Sequence, residues 1–229
     1  MLYFAQKRGI VDRVMRMNRM KPQLVEPLME GDLQKEARRA VLEGDEAAGF
    51  QFEGGVLMDF SEKRLEFSGC SFLRCRFEEI SVRWLSFTDC VFTGCDFSNA
   101  SLKGAAFRRV EMRDCRSVGA EIADSWIAHA VFTGCSMSYA GFGKGKLELA
   151  RFEDCDLKEA SFSGCSFKTV EFERCILSAA EFFSTPLKGV DFRTDQIDGI
   201  KLAGGELRGA VVTPVQAVEL SKLLGVVVA

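Results

Sequence analysis

The chain has 229 residues and a formal net charge of −3, and 47% of its residues are hydrophobic and 28% charged. This length predicts one or two domains, and the balanced composition argues against disorder. The charge lacks the basic excess typical of nucleic-acid-binding domains, so we expect no direct nucleic-acid binding. No apolar run approaches the roughly 18 residues of a membrane span, and the N-terminus lacks the features of a signal peptide, so we expect a cytoplasmic protein.

Residues 1–49 form a leader that lies outside the repeat that follows it. Between Glu26 and Leu42 the apolar residues recur at helical spacing, and Gly44 lies where such a helix would end. We expect this helix to cover the open end of the next segment. A basic arm that binds a surface is the alternative, carried by three residues near the N-terminus: Arg13, Arg16 and Arg19.

A period of five residues runs through 50–212. Every fifth residue from Phe52 to Val212 is apolar, except Glu62 and Ser117. All nine cysteines lie two positions before a member of this series. In a solenoid, equivalent positions of successive turns stack on one another, so the spacing within a column gives the length of a turn. Six cysteines recur at intervals of 20 residues: Cys75, Cys95, Cys115, Cys135, Cys155 and Cys175.

Four five-residue units therefore make one turn, and each unit forms one side of a square. We number the sides by their central residues in the first turn: Phe52 on the first, Leu57 on the second, Glu62 on the third and Phe67 on the fourth. Glu62 predicts an irregular first turn that the leader covers. Ser117 predicts a small local bulge, because its hydroxyl can bond to nearby backbone.

The five-residue units share one pattern: a small residue, a polar residue, Phe or Leu, and then two mostly polar residues. Examples are CSFLR (70–74), CDFSN (95–99), ASLKG (100–104) and CSFKT (165–169). This pattern closely resembles that of the pentapeptide repeat family. The resemblance implies an all-β solenoid, a right-handed quadrilateral parallel β-helix, here of about eight coils between the helical leader and a short C-terminal capping helix.

The resemblance also implies the function, a non-enzymatic scaffold that mediates protein–protein interaction. The alternative comes from those members of the family that mimic duplex DNA. These members bind DNA gyrase or topoisomerase IV and protect the enzyme from quinolones or toxins. The expected partner is therefore a protein, and a type II topoisomerase under the alternative.

The sequence predicts no catalytic, metal-binding or cofactor-binding site. A column of parallel cysteines does not converge on one metal ion, and buried thiols tend to be inert, so we interpret the cysteines as packing. The only histidine, His129, has no nucleophile or base placed to act with it.

The second side carries the largest excess of acidic residues and is the candidate interaction surface. A charged face of this kind would attract a partner of opposite charge. Its acidic residues are Asp59, Glu78, Glu79, Asp96, Asp156, Glu159, Asp195 and Asp198.

After Val212 the five-residue period ends, and residues 213–229 have the signals of a capping helix. Thr213, Pro214 and Gln216 suit the N-cap and the first and third helical positions, and Gly225 suits the stop. We expect a short terminal strand over 226–228. In several members of the family a helix of this kind mediates dimers, so we expect a cap that also serves as a homodimer contact, formed by Val215, Val218, Leu220, Leu223 and Leu224.

Overall fold

Ten strands and two α-helices form the described part of the chain, residues 19–227 of a computed structural model, the side chain of Leu224 excepted. The helices are α1 (Leu33–Glu43) and α2 (Pro214–Ser221), and two 3-10 helices span Gly205–Leu207 and Lys222–Leu224. The strands are β1 (Met29–Glu30), β2 (Ala47–Ala48), β3 (Phe50–Glu53), β4 (Val56–Ser68), β5 (Ser71–Leu73), β6 (Arg76–Thr93), β7 (Ala106–Arg113), β8 (Trp126–Thr133), β9 (Lys146–Glu153) and β10 (Ser166–Glu173).

The strands stack in parallel with the register that the cysteine spacing predicts. Phe52 pairs with Phe72, Phe72 with Phe92, and Phe92 with Met112, so each turn lies directly over the last. The molecule is a parallel β-solenoid of about seven turns with one helix near each end. The predicted fold class is confirmed, although the eight coils expected from the sequence are about one too many.

Stacked phenylalanine rings and small side chains fill the interior. The rings of Phe72 and Phe92 have centroids 4.5 Å apart and lie within 9° of parallel. Those of Phe77 and Phe97 are 4.3 Å apart. Offset stacking adds to the free energy that ring burial already supplies. The five-residue period therefore stabilises the fold both by apolar burial and by contacts between turns.

The four sides are not equally regular. In the middle turns the fourth and first sides form continuous strands, such as β8, that bend at one corner residue. The second and third sides make only isolated bridges, such as Arg116 to Ser136 and Glu121 to Gly141. Consequently the fourth and first sides offer the straighter and more continuous outer surface.

The leader covers the open end of the first turns, although its helix is shorter than the sequence predicts. Helix α1 starts at Leu33, not at Glu26, because the Asp32 side chain caps it by accepting a hydrogen bond from Lys35 N at 2.8 Å. Leu28 precedes the helix, and Met29 lies in strand β1, where it pairs with Phe50 of the first turn. The helix ends at the predicted place, since Gly44 adopts the left-handed conformation (φ 68°).

The two exceptions in the apolar series do not disturb the register. Glu62 lies in β4 opposite Val82 and is exposed, so the expectation of an irregular first turn was wrong. Ser117 is buried, and its N–H donates to the carbonyl of Ser136 at 2.7 Å in the ordinary pattern, so no bulge forms. Main-chain pairing between turns holds the register even where the central side chain is polar.

The C-terminal helix follows its predicted signals. Thr213 and Gln216 form a capping box, and the helix tightens into 3-10 geometry from Lys222 to Leu224 before Gly225 ends it. The terminal strand expected over 226–228 is absent from the described residues, because Val226 and Val227 lie in neither helix nor strand. Val228 lies outside the described residues.

Residues 19–23 of the leader lie along the corner between the fourth and first sides. Arg19 pairs with Glu171, and Gln23 N donates to Asp89 Oδ1 at 3.0 Å, although Asp89 and Glu171 belong to turns far apart along the rod. Burial raises the pKa of Asp89, but hydrogen bonds from Arg109 and Gln23 outweigh it and hold that pKa below its ordinary value. Arg13 and Arg16 of the predicted basic arm lie outside the described residues.

Replacing Asp89 by alanine is expected to release this leader segment. The change removes the acceptor for Gln23 N and the carboxylate partner of Arg109. Hydrogen exchange of the Gln23 amide should become about tenfold faster, and the free energy of unfolding should fall by about 1–3 kcal/mol. Asp114→Ala, at an exposed corner aspartate with the same left-handed backbone, is the control: it should leave the exchange of the Gln23 amide unchanged and shows what alanine costs at this φ alone.

Candidate interaction surfaces

The predicted acidic side does not form one continuous acidic surface. Asp59, Glu79 and Asp198 are exposed, but Asp198 lies several turns from the other two. Glu78, Asp96, Asp156 and Glu159 are only partly exposed. The two turns between Asp96 and Asp156 place no carboxylate on this side.

Basic neighbours also neutralise part of the acidic side. Asp96 stacks between Arg76 in the preceding turn and Arg116 in the following turn. Arg76 in addition lies 3.0 Å from Glu78. The least neutralised acidic group is therefore the pair of corner residues Asp59 and Glu79 in the first two turns.

Asp195 was wrongly predicted to lie on this surface. Only 6% of the residue is exposed, because it lies 20 residues after Cys175 and so takes the inward position of the cysteine column. Its Oδ1 accepts a hydrogen bond from Cys175 N at 2.7 Å, whereas its Oδ2 has no partner among the described residues. Burial raises the pKa of Asp195 to about 6.

The nine cysteines are buried and free, as a packing role requires. Most donate a weak hydrogen bond to the carbonyl 23 residues earlier, as Cys175 Sγ does to Phe152 O at 3.3 Å. Thr185 takes the same place after Cys165: its Oγ1 donates to Phe162 O at 2.6 Å and accepts from Cys165 N at 2.9 Å. The small inward position is therefore a turn-to-turn hydrogen-bonding site as well as a packing site.

The native thiols are expected to react slowly with a bulky thiol reagent. All nine thiols are buried, so a bulky reagent cannot reach them in the folded protein, and burial also raises the pKa of Cys165 to about 11. Labelling of native protein should proceed at least about a hundredfold more slowly than labelling in denaturant. Rapid modification of the folded protein would contradict the packing role.

Helix α2 closes the C-terminal end of the solenoid. Gln216 Nε2 donates to Phe192 O at 2.7 Å and to Asp195 O at 2.9 Å, which fastens the helix to the last turns. Leu220 is buried and belongs to the cap. Val215, Val218 and Leu223 are exposed, so three of the five residues predicted for a dimer contact are accessible; the side chain of Leu224 lies outside the described residues.

His129 lies on the outer surface, as its position in the repeat predicts, and is in contact with the leader. Its Nδ1 accepts a hydrogen bond from Met20 N at 3.2 Å. Burial lowers the pKa of His129, and the positive charges of Arg109 and Arg19 lower it further. The sequence could not indicate this contact, because the leader lies outside the repeat.

Neither a metal cluster nor a membrane-spanning helix is present in the described part of the chain. No group of His, Cys, Asp and Glu within residues 19–227 is arranged to hold a metal ion. In the same part of the chain no helix is both long enough and apolar enough to cross a membrane.

The fold and its repeating interior define a class of protein, the parallel β-solenoid built from five-residue units. A sequence model described as "Pentapeptide repeat region" matches residues 62–142, 85–162 and 125–202, which together cover more than half of the chain. The chain belongs to the pentapeptide repeat family. A search of curated proteins found no match.

Solved structures with similarity to this chain are pentapeptide repeat proteins of different origin. QnrB1, a plasmid-mediated fluoroquinolone resistance protein, is 23% identical, with a TM-score of 0.48 over 80% of this chain and 92% of that chain. HetL, involved in heterocyst differentiation regulation in the cyanobacterium Nostoc, is 13% identical, with a TM-score of 0.41 over 72% and 82%. A pentapeptide repeat protein of the Arabidopsis thaliana thylakoid lumen is 24% identical, with a TM-score of 0.40 over 42% and 68%.

Proposed function

We propose that the protein is a non-enzymatic scaffold that binds a protein partner along the side of its rod. The proposal rests on the surroundings of the cysteine and histidine side chains, the potentially reactive groups considered in the sequence. All nine thiols are buried in the interior, and the imidazole of His129 is bonded to the leader. The outer side chains of the stacked turns are the groups left to account for function, and solenoids use such extended surfaces for binding. The free thiols suit the reducing cytoplasm, which we propose as its location.

Affinity purification of the tagged protein from its own cells tests this proposal. We expect one protein to co-purify in stoichiometric amount with the folded chain. A charge reversal on one side of the rod should abolish its recovery, while reversals on the other sides should leave it unchanged. Recovery of no stoichiometric partner, or equal recovery with every reversal, would contradict a scaffold that binds through one side.

A second candidate is a DNA mimic that binds DNA gyrase or topoisomerase IV and modulates or protects it. The rod shape and the exposed carboxylates of Asp59 and Glu79 favour it. The neutralised surroundings of Asp96 oppose it, because duplex DNA carries one charge per ~1.7 Å. We therefore rank this candidate second.

Gyrase supercoiling and topoisomerase IV decatenation assays, each with and without a fluoroquinolone, test the second candidate. A DNA mimic should change enzyme activity or relieve drug inhibition, and the double variant Glu78→Lys with Glu79→Lys should lose the effect. Lys188→Glu, on the fourth side, is the control and should keep it. Absence of any effect on either enzyme would eliminate the candidate.

We further propose a homodimer through the exposed apolar residues of the C-terminal cap. Val215 and Val218 are 76% and 44% exposed, which leaves apolar surface that a second copy would cover. Sedimentation velocity should show a dimer for the wild type and a monomer for Val218→Glu. A monomeric wild type at high concentration would contradict the dimer.

A further inference from the structure

Both tryptophans of the chain lie on one outer corner of the rod, between the third and fourth sides. Trp84 is 65% exposed and Trp126 is 42% exposed. Two turns separate them, which corresponds to roughly 10 Å along the rod. Burying rings of this size would be favourable, so leaving both in water indicates a surface that a partner covers.

Basic side chains line the same corner in successive turns. Register places Lys63, Arg83 and Lys103 in one column, with neighbouring members roughly 5 Å apart. Arg108 lies in the turn before Trp126 on the fourth side. We call this surface the tryptophan corner, and it consists of Lys63, Arg83, Trp84, Lys103, Arg108 and Trp126.

Most of these cations lack an internal partner. Lys63, Arg83 and Arg108 make no ion pair with another described residue, and Lys103 lies 3.8 Å from Asp124. Like charges directly opposite each other on neighbouring strands are destabilising, so this column lowers the stability of the free protein. An anionic partner would remove that cost.

The opposite corner shows that the fold can neutralise such charges. Arg174, between the first and second sides, pairs with three carboxylates: those of Glu153, Asp154 and Glu173. Arg64, directly opposite Trp84 in the preceding turn, likewise pairs with Glu66 at 2.8 Å. Arg83 thus lacks the carboxylate partner that Arg64, one residue along in the preceding turn, has.

We propose that the tryptophan corner binds an acidic, extended segment of a partner protein. This inference rests on the proposed scaffold function and names the side of the rod that the partner covers. Arginine binds carboxylates through two parallel hydrogen bonds, and Trp and Arg are the residues most enriched at the energetic centres of protein interfaces. The protein's net charge of −3 disfavours a nucleic acid, whose long-range repulsion would oppose association.

Tryptophan fluorescence provides a direct test, because the only two tryptophans of the chain are in the proposed surface. The full-length protein is titrated with a polyglutamate peptide of about 15 residues, long enough to span the corner. We expect a saturable change in emission that weakens with added salt. Arg83→Glu should raise the dissociation constant at least about tenfold, and Trp84→Ala, at an exposed position, should also weaken binding.

Lys188→Glu is the matched control, because Lys188 occupies the position of Arg108 four turns further along the fourth side. It makes the same change of charge as Arg83→Glu and should leave the dissociation constant unchanged. Peptide binding by the Trp84→Ala variant, whose own emission is reduced, is followed by the anisotropy of a labelled peptide.

Three results would overturn the proposal. They are the absence of polyglutamate binding, equal binding by Arg83→Glu and the wild type, and tighter binding of an oligothymidylate of equal charge, which would indicate a nucleic-acid site. The outcome is separable from that of the scaffold proposal. If a cellular partner still co-purifies with Arg83→Glu, the scaffold stands and the tryptophan corner is not its binding surface.

Discussion

Replacing Phe152 by alanine is expected to lower the free energy of unfolding by about 3–5 kcal/mol. Phe152 is fully buried, and its ring stacks on Phe132 at 4.7 Å and on Phe172 at 5.3 Å. It also meets Phe142 and Phe162 edge to face. The truncation would leave a cavity bounded by four rings that main-chain pairing prevents from collapsing. Urea denaturation followed by circular dichroism measures the change.

Phe183→Ala is the control for this prediction. Phe183 lies on the outer surface of the third side and is 43% exposed, so its loss removes little buried area. We expect a change below about 1 kcal/mol. If Phe152→Ala has the same urea midpoint of unfolding as the wild type, packing of the rings does not stabilise the rod.

Replacing Asp195 by threonine is expected to stabilise the protein above pH 6. The pKa of Asp195 is raised from 3.8 to about 6 by burial, so the folded state binds this proton more tightly than the unfolded state. Wild-type stability should therefore fall as pH rises from about 4 to 6, by about 3 kcal/mol from this group. Threonine carries no charge, so the free energy of unfolding of the variant should not fall by this amount over the same pH range.

The structure shows how threonine can replace the carboxylate. Thr185 already fills the equivalent position of another column, where it accepts from Cys165 N and donates to Phe162 O. In the Asp195→Thr variant, the new hydroxyl is thus expected to accept from Cys175 N, as the carboxylate does, and to donate to the carbonyl of Phe172.

The measurement is the difference in free energy of unfolding between Asp195→Thr and the wild type, by urea denaturation at several pH values. We expect this difference to grow between pH 4 and 6 and then to stay constant at about 2–3 kcal/mol. Asp198→Thr, at an exposed aspartate, should show no such growth. A difference that is the same at pH 4 and pH 8 would mean that burial does not raise the pKa of Asp195.

The period of five predicted the interior almost completely, because each turn repeats the same geometry and one column determines the rest. Asp195 shows an avoidable error. The prediction placed it on the outer surface, although its distance of 20 residues from Cys175 already indicates an inward position. Position within the five-residue unit, not the side of the square, decides whether a side chain is buried.

The tryptophan corner and the docked leader were missed for physical reasons. Trp84 and Trp126 belong to different columns on either side of a corner, so no single period connects them. The contact of Gln23 with Asp89 joins a segment without repeats to the rod, and long-range contacts of this kind leave no periodic signal. Helix α1 is shorter than predicted because the helical spacing of apolar residues continues back through Met29, which instead pairs with the first turn.

Capture of the cellular partner by three charge-reversal variants tests the central claim most directly. The tagged proteins are Arg83→Glu in the tryptophan corner, Glu79→Lys on the acidic side and Lys188→Glu as the control. We predict that Arg83→Glu loses the partner recovered by the wild type, while the other two retain it. Loss with Glu79→Lys and retention with Arg83→Glu would contradict the account and assign binding to the acidic side.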